Sequence, residues 1–250
     1  MERTLNEMKF LTLFISLRCT NECEHCVYAC GPDRGEDMSL EIFEKSIHIA
    51  KDNNIKKINF FGGEPFFNFQ IFNMLDYTLK NNFDLVLATN GYFLNNDSLF
   101  DTFHEVTHRY KERIMLCIGY DKYHKKYFDS TFIANKLKNY GYHVKLEDYC
   151  EDELIISDLN KDRLNVNAIN SSSICCCSNG KHHSVGILPN GAWSICPPSL
   201  LEFGNIENID LQDLLVFKQK LPFQYEKGCS LCLKDFDSYH KNFMDSMKIG

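Results

Sequence analysis

From residue 10 to residue 146 the chain alternates short apolar runs with segments of helical period, and that alternation leaves few folds open. Residues 10–17 read as a buried strand. Leu40, Phe43, Ile47 and Ala50 follow at helical spacing, behind Ser39, a residue type suited to capping a helix N-terminus. Residues 57–61 read as the next strand. Ile71, Met74, Leu75 and Leu79 mark a second helix, and residues 84–88 a third strand. Leu99, Phe103 and Val106 suit a third helix behind Asn95 or Asn96. Residues 113–119 then give a strand, 130–140 a helix and 142–146 a strand. Strands and helices in alternation predict a parallel sheet with helices packed outside it. A sixth strand near residues 163–168 has weaker support. So few strands cannot close an eight-stranded barrel, so an open, partial (β/α)6-type barrel is expected over residues 1–170.

The texture changes near residue 170, where Ser171, Ser172 and Ser173 precede three consecutive cysteines. Residues 185–188 and 192–196 flank Pro189-Asn190-Gly191. Asn-Gly between apolar runs signals a hairpin, because a type I′ turn needs positive φ at both central positions. A short helix is expected over 211–217 with Asp210 as its cap. Residues 171–250 therefore read as a smaller hairpin-plus-helix domain.

The 250 residues are 44% hydrophobic and 24% charged with 20 phenylalanines, a globular composition. The net charge of −7 supplies no general attraction to nucleic acid or to an anionic membrane. No apolar run approaches the roughly 20 residues needed to span a bilayer. Residues 10–17 are too short for a signal-peptide core and lead directly into cysteines. A cytoplasmic protein is expected, binding neither nucleic acid nor membrane.

Twelve cysteines in groups, in a chain of this size without an export signal, point to metal ligation rather than to disulfides. The first group lies in Arg18-Cys19-Thr20-Asn21-Glu22-Cys23-Glu24-His25-Cys26, directly after a strand. Three thiolates in one loop can converge on one metal centre. A [4Fe–4S] cubane usually takes four cysteines, so three leave one iron open for chemistry. Zinc and a chance cluster are the rival readings of the spacing. Cys30 is either a fourth ligand or a buried small hydrophobe.

The C-x3-C-x2-C loop after a first strand resembles the signature of the radical S-adenosylmethionine (SAM) superfamily. His25 stands where that family usually has an aromatic residue against SAM. Phe60-Phe61-Gly62-Gly63-Glu64-Pro65, at the end of the second strand, resembles the family's GGEP motif, which binds the amino group of SAM's methionine. The chemistry agrees: two glycines admit close backbone approach, Pro65 ends the strand and Glu64 offers an acceptor to an ammonium. Ala88-Thr89-Asn90-Gly91 is similar to the family's T-N-G segment, which implies that Thr89 and Asn90 contact SAM; a plain turn is the bland alternative. Asp121 and His124 end the next strand, where many relatives carry a Ser-x-Asp-x-x-x-His type sequence, and are read as facing the barrel mouth or as surface residues.

Cys177, thirteen residues to Gly191, four more to Cys196, and then Cys229-Ser230-Leu231-Cys232 form a second set of thiolates. By spacing alone zinc and an iron–sulfur cluster suit it equally. The pattern resembles the SPASM extension in its shortened, twitch form, with Gly204-Asn205-Ile206 after the hairpin. The resemblance implies one auxiliary [4Fe–4S] cluster held by Cys177, Cys196, Cys229 and Cys232; Cys175 and Cys176 satisfy the first spacing as well as Cys177 does.

The resemblance implies reductive cleavage of SAM to methionine and a 5′-deoxyadenosyl radical, which takes a hydrogen atom from substrate. A reductant such as flavodoxin or ferredoxin is implied, with the auxiliary cluster accepting an electron. The substrate is expected to be a peptide, modified by crosslink, thioether or epimerisation. Dehydrogenation of a small hydroxy or amino compound such as an aminocyclitol is the alternative, and a non-enzymatic zinc or cluster protein the remote one. An epimerase would need a hydrogen donor, a part open to Cys30, Cys117 or Cys150, each of which core packing explains better. A first strand near residue 10 leaves no room for an N-terminal peptide-binding domain, which weighs against the peptide reading.

Overall fold

The computed structural model of the chain describes residues 10–23, 26, 28–119, 130–147, 185–194 and 202–220. Five strands and four helices alternate as expected: β1 (Phe10–Ser16), α1 (Leu40–Asp52), β2 (Lys57–Gly62), α2 (Ile71–Lys80), β3 (Asp84–Thr89), α3 (Asp97–Thr107), β4 (Ile114–Gly119), α4 (Ser130–Asn139) and β5 (His143–Glu147). β6 (Gly186–Ile187), β7 (Ala192–Ser194), β8 (Glu202–Asn205) and α5 (Leu211–Lys220) follow. The sheet order is β5-β4-β3-β2-β1-β6-β7-β8. The pairs from β5 through β1 to β6 are parallel, and β6–β7 and β7–β8 are antiparallel.

β1 lies inside the sheet and is buried on both faces, as a strand of a parallel sheet covered on both sides must be. Its alternation divides two cores. Leu11, Leu13 and Ile15 join the large core with Phe43 and Ile47 of α1 and Met74 and Leu75 of α2. Phe14 faces the other way, into a smaller cluster with Leu17, Cys19, Cys30, Leu188 and Ala192. The helix starts follow local chemistry. Ser39 accepts from the Ile42 N–H at 3.2 Å, Asn96 from Leu99 at 3.2 Å, and Asp210 from Asp213 at 2.8 Å.

Two features differ from expectation. The hairpin is not closed by a type I′ turn: of Pro189, Asn190 and Gly191, only Gly191 takes positive φ, at 81°. Asn190 does not take positive φ, and Pro189 has no N–H with which to close a two-residue loop against Ala192, so the loop has three residues with Gly191 in the left-handed position. The Gly191 N–H donates to Leu188 O, and Leu188 N–H to Ala192 O, each at 2.9 Å. The hairpin also extends the main sheet, because β6 pairs with β1 through Thr12–Gly186 and Leu13–Ile187. The weak strand expected at 163–168 lies outside the described residues.

Candidate active site

The cysteine loop begins where β1 ends, and β2 ends beside it. Ser16 is level with Gly62 in the parallel register. Beyond that point the backbones touch: Gly63 N–H donates to Ser16 O and Glu64 N–H to Arg18 O, each at 2.8 Å. A Cβ on Gly62 would lie 2.0 Å from Ser16 O, and one on Gly63 would lie 2.4 Å from Arg18 O and 2.9 Å from Cys19 Cβ. Both contacts are closer than any side chain tolerates, so the two glycines set how near β2 can come to the first cysteine. Gly62 also takes φ of 134°.

Glu64 is fully buried. Its carboxylate accepts from Phe66 N–H at 3.2 Å, from Asn90 N–H at 2.8 Å, and from the Thr89 hydroxyl, which stands 2.9 Å from both oxygens. The side chain thus ties the end of β2 to the end of β3. Burial pushes its carboxyl up to about 7 against the pull of these hydrogen bonds. Asn90 carries the tie onward. Its Nδ2 donates to Thr20 Oγ1 at 3.0 Å and lies 3.5 Å from Cys19 Sγ, while its Oδ1 accepts from Tyr92 N–H at 2.9 Å.

A second set of contacts fixes the base of the loop. Cys19 N–H donates to Gly31 O at 3.1 Å and Leu17 N–H to Glu36 O at 2.8 Å, so the chain returns alongside its own start. Arg18 pairs with Asp37 and donates to Phe67 O at 2.8 Å. Ser16 Oγ donates to Asp37 Oδ1 at 2.6 Å. Asn68 Nδ2 donates to both Ile15 O and Met38 O, at 2.9 and 2.8 Å. Sequence reasoning missed Arg18, Asp37 and Asn68. The one available signal was an arginine directly after a buried strand, which requires an anionic or carbonyl partner nearby.

Within the loop, Asn21 N–H donates to Cys19 Sγ at 3.3 Å and Cys30 N–H to Cys26 Sγ at 3.4 Å. Burial pushes the Cys19 thiol up to about 12; Glu64, Cys23 and Cys26 add to the rise, and the Asn21 N–H opposes it. Cys19, Cys23 and Cys26 are in no disulfide. Among the described residues no three His, Cys, Asp or Glu side chains stand close enough to share one ion. A donor set of three thiols in one loop, with N–H groups already directed at two of the sulfurs, fits an iron–sulfur cluster in ligand type and surroundings.

Of the expected site residues, Cys19, Cys23, Cys26, Gly62, Gly63, Glu64, Pro65, Thr89 and Asn90 therefore gather at one end of β1, β2 and β3. Cys117 is buried on β4 beside Ala88 of β3. His25, Asp121, His124, Cys150, Cys177, Cys196, Cys229 and Cys232 lie outside the described residues.

Residues 9–125 match the family model described as a 4Fe-4S single cluster domain. The chain is 28% identical over 134 residues to "Putative peptide biosynthesis protein YydG" of Bacillus subtilis (strain 168), covering 52% of this chain and 41% of that one. It is 29% identical over 119 residues to the antilisterial bacteriocin subtilosin biosynthesis protein AlbA of the same organism, covering 48% and 25%. The chain thus spans less than half the length of either relative. Among solved structures, BtrN in complex with AdoMet and 2-DOIA superposes with a TM-score of 0.62 at 14% identity, covering 88% of each chain. That likeness concerns the fold.

Proposed function

We propose that the chain, a radical SAM protein, is an enzyme of the SPASM- or twitch-bearing kind that modifies a peptide by hydrogen-atom abstraction. The observation that carries the reading is the convergence of the cysteine loop, Gly62–Gly63 and the Thr89–Asn90 segment at one end of three parallel strands. Cys19, Cys23 and Cys26 would hold a [4Fe–4S] cluster with a coordination position open to SAM. When bound, the cluster and SAM together supply a 5′-deoxyadenosyl radical, with the electron coming from a flavodoxin- or ferredoxin-type reductant.

The chain's own residues do the placing. Gly62 and Gly63 bring the β2 backbone against the first cysteine, where a side chain would force the two apart. Glu64 braces this turn against Thr89 and Asn90, and Asn90 extends the brace to Thr20. Pro65 starts the short 3-10 turn of residues 65–67, whose last carbonyl accepts from Arg18. His25 and Asp121 are assigned to SAM, and Cys177, Cys196, Cys229 and Cys232 would hold one auxiliary [4Fe–4S] cluster, which would supply an electron acceptor. The two domains proposed are 1–170 and 171–250, the second anchored through the hairpin on β1. The peptide substrate is supported by the relatives named for peptide and bacteriocin biosynthesis. No helix among the described residues is long and apolar enough to cross a membrane.

Anaerobic reconstitution followed by iron counting and product analysis tests this reading. About eight irons per chain correspond to two cubanes. The reduced protein is expected to convert SAM to 5′-deoxyadenosine. A peptide encoded beside the gene should raise that rate and, when deuterated, pass deuterium into the product; an aminocyclitol should do neither. Iron-loaded, reduced protein that forms no 5′-deoxyadenosine would overturn the enzyme reading, and stimulation by the aminocyclitol alone would overturn the peptide.

A further inference from the structure

Cys30 stands outside the three-cysteine pattern yet lies directly against it. It is 1% exposed and follows Ala29, whose positive φ of 50° turns the chain back under the loop. Its backbone N–H reaches Cys26 Sγ at 3.4 Å, and its thiol is hydrogen-bonded to the same sulfur. Phe14, Leu17, Leu188 and Ala192 form an apolar cluster with it. Cys26, as a cluster ligand, is a thiolate, so of the two sulfurs Cys30 is the one that carries a proton: it donates and Cys26 accepts.

We propose that Cys30 is a positioning residue rather than a ligand: its S–H and its backbone N–H both donate to Cys26 Sγ and stabilise the reduced state of the cluster that Cys26 holds. The proposal rests on the assignment of Cys19, Cys23 and Cys26 as cluster ligands. Reduction adds negative charge that spreads onto the cysteine sulfurs, and donors to those sulfurs favour the reduced form. A fourth cysteine ligand would instead occupy the iron that SAM needs. Part of the apolar surround comes from the β6–β7 hairpin, through Leu188 and Ala192, so residues far along the chain help to bury the Cys30 thiol.

The test is a redox titration of the reconstituted full chain, following the electron paramagnetic resonance signal that changes when SAM is added. That signal separates this cluster from any auxiliary one. Cys30→Ala is expected to keep the parent's iron content and SAM response. At fixed reductant potential its cluster should be about tenfold harder to reduce, a midpoint ~60 mV more negative. Cys30→Ser, which keeps a donor, should lie closer to the parent. In the parent, the solvent-exchangeable deuterons coupled to the reduced cluster should include one from the thiol, and in Cys30→Ala that one should be lost while the amide deuterons of Cys30 and Asn21 remain. Should alanine collapse the pocket, the serine variant decides alone: parent-like iron and SAM response support the proposal. Loss of iron or of the SAM response in Cys30→Ser overturns it, as does an Ala midpoint equal to the parent's. A parent without any SAM-responsive signal removes the ligand assignment and this proposal with it, whereas a responsive parent with an unchanged alanine variant removes this proposal alone.

Discussion

Glu64 shows how much a single side chain carries here. Its carboxyl stands at about 7, against 4.5 for an ordinary glutamate. Between those values the folded chain binds the proton more tightly than the unfolded chain does. The stability contributed by the neutral acid is therefore complete below pH 4.5 and is lost as pH rises through about 7. Glu64→Gln removes the titrating group while keeping an acceptor for the Asn90 N–H. Its urea-unfolding stability should fall less than the parent's from about pH 5 to about pH 8, by a difference of about 3 kcal/mol; parallel curves would show that Glu64 does not titrate in the fold. The sequence singled out Glu64 through its Gly-Gly-Glu-Pro setting but assigned it an ammonium partner. Its intramolecular partners, Thr89 and Asn90, depend on β2 and β3 lying side by side with Phe60 level with Leu87. Strand register is a tertiary fact that no local pattern states.

At the scale of the element, the starts of three helices were legible because they are local chemistry, while α2 and α4 were legible from period alone. Ser39, Asn96 and Asp210 each cap the helix that follows, and each precedes an apolar run of helical period. The hairpin was legible in existence but not in turn type, since Asn-Gly outweighed the proline before it. Gly191 tests the observed geometry. Its φ of 81° disfavours any side chain, and an added Cβ would press within 3.1 Å of the Asn205 amide. Gly191→Ala should lower the urea midpoint by the equivalent of about 1–2 kcal/mol without changing the denaturant slope. An unchanged midpoint would mean that the turn relaxes into a conformation other than this one.

The molecule as a whole is joined through β1, which has β2 on one side and β6 on the other. Alternation along the chain revealed the parallel half, but a two-residue strand near residue 186 is too short to announce its partner. Trp193, the chain's single tryptophan, is fully buried on β7, and its indole N–H donates to Ile209 O at 2.8 Å. If the hairpin and the parallel strands form one cooperative unit, Trp193 fluorescence and far-ultraviolet circular dichroism should report the same unfolding midpoint. A fluorescence transition at lower denaturant would show the hairpin leaving first.

The pairing of β1 with β6 also has a consequence for biogenesis. On the ribosome β1 is made first and receives its second neighbour only after residue 186 has emerged, on the order of ten seconds or more later at ordinary synthesis rates. Until then one flank of an apolar strand is an open template for pairing with other chains. The same late hairpin supplies Leu188 and Ala192 to the apolar cluster beside the cysteine loop. A nascent chain of this kind therefore needs shielding from its neighbours, and iron delivered before translation is finished would meet thiols that still lack their cover.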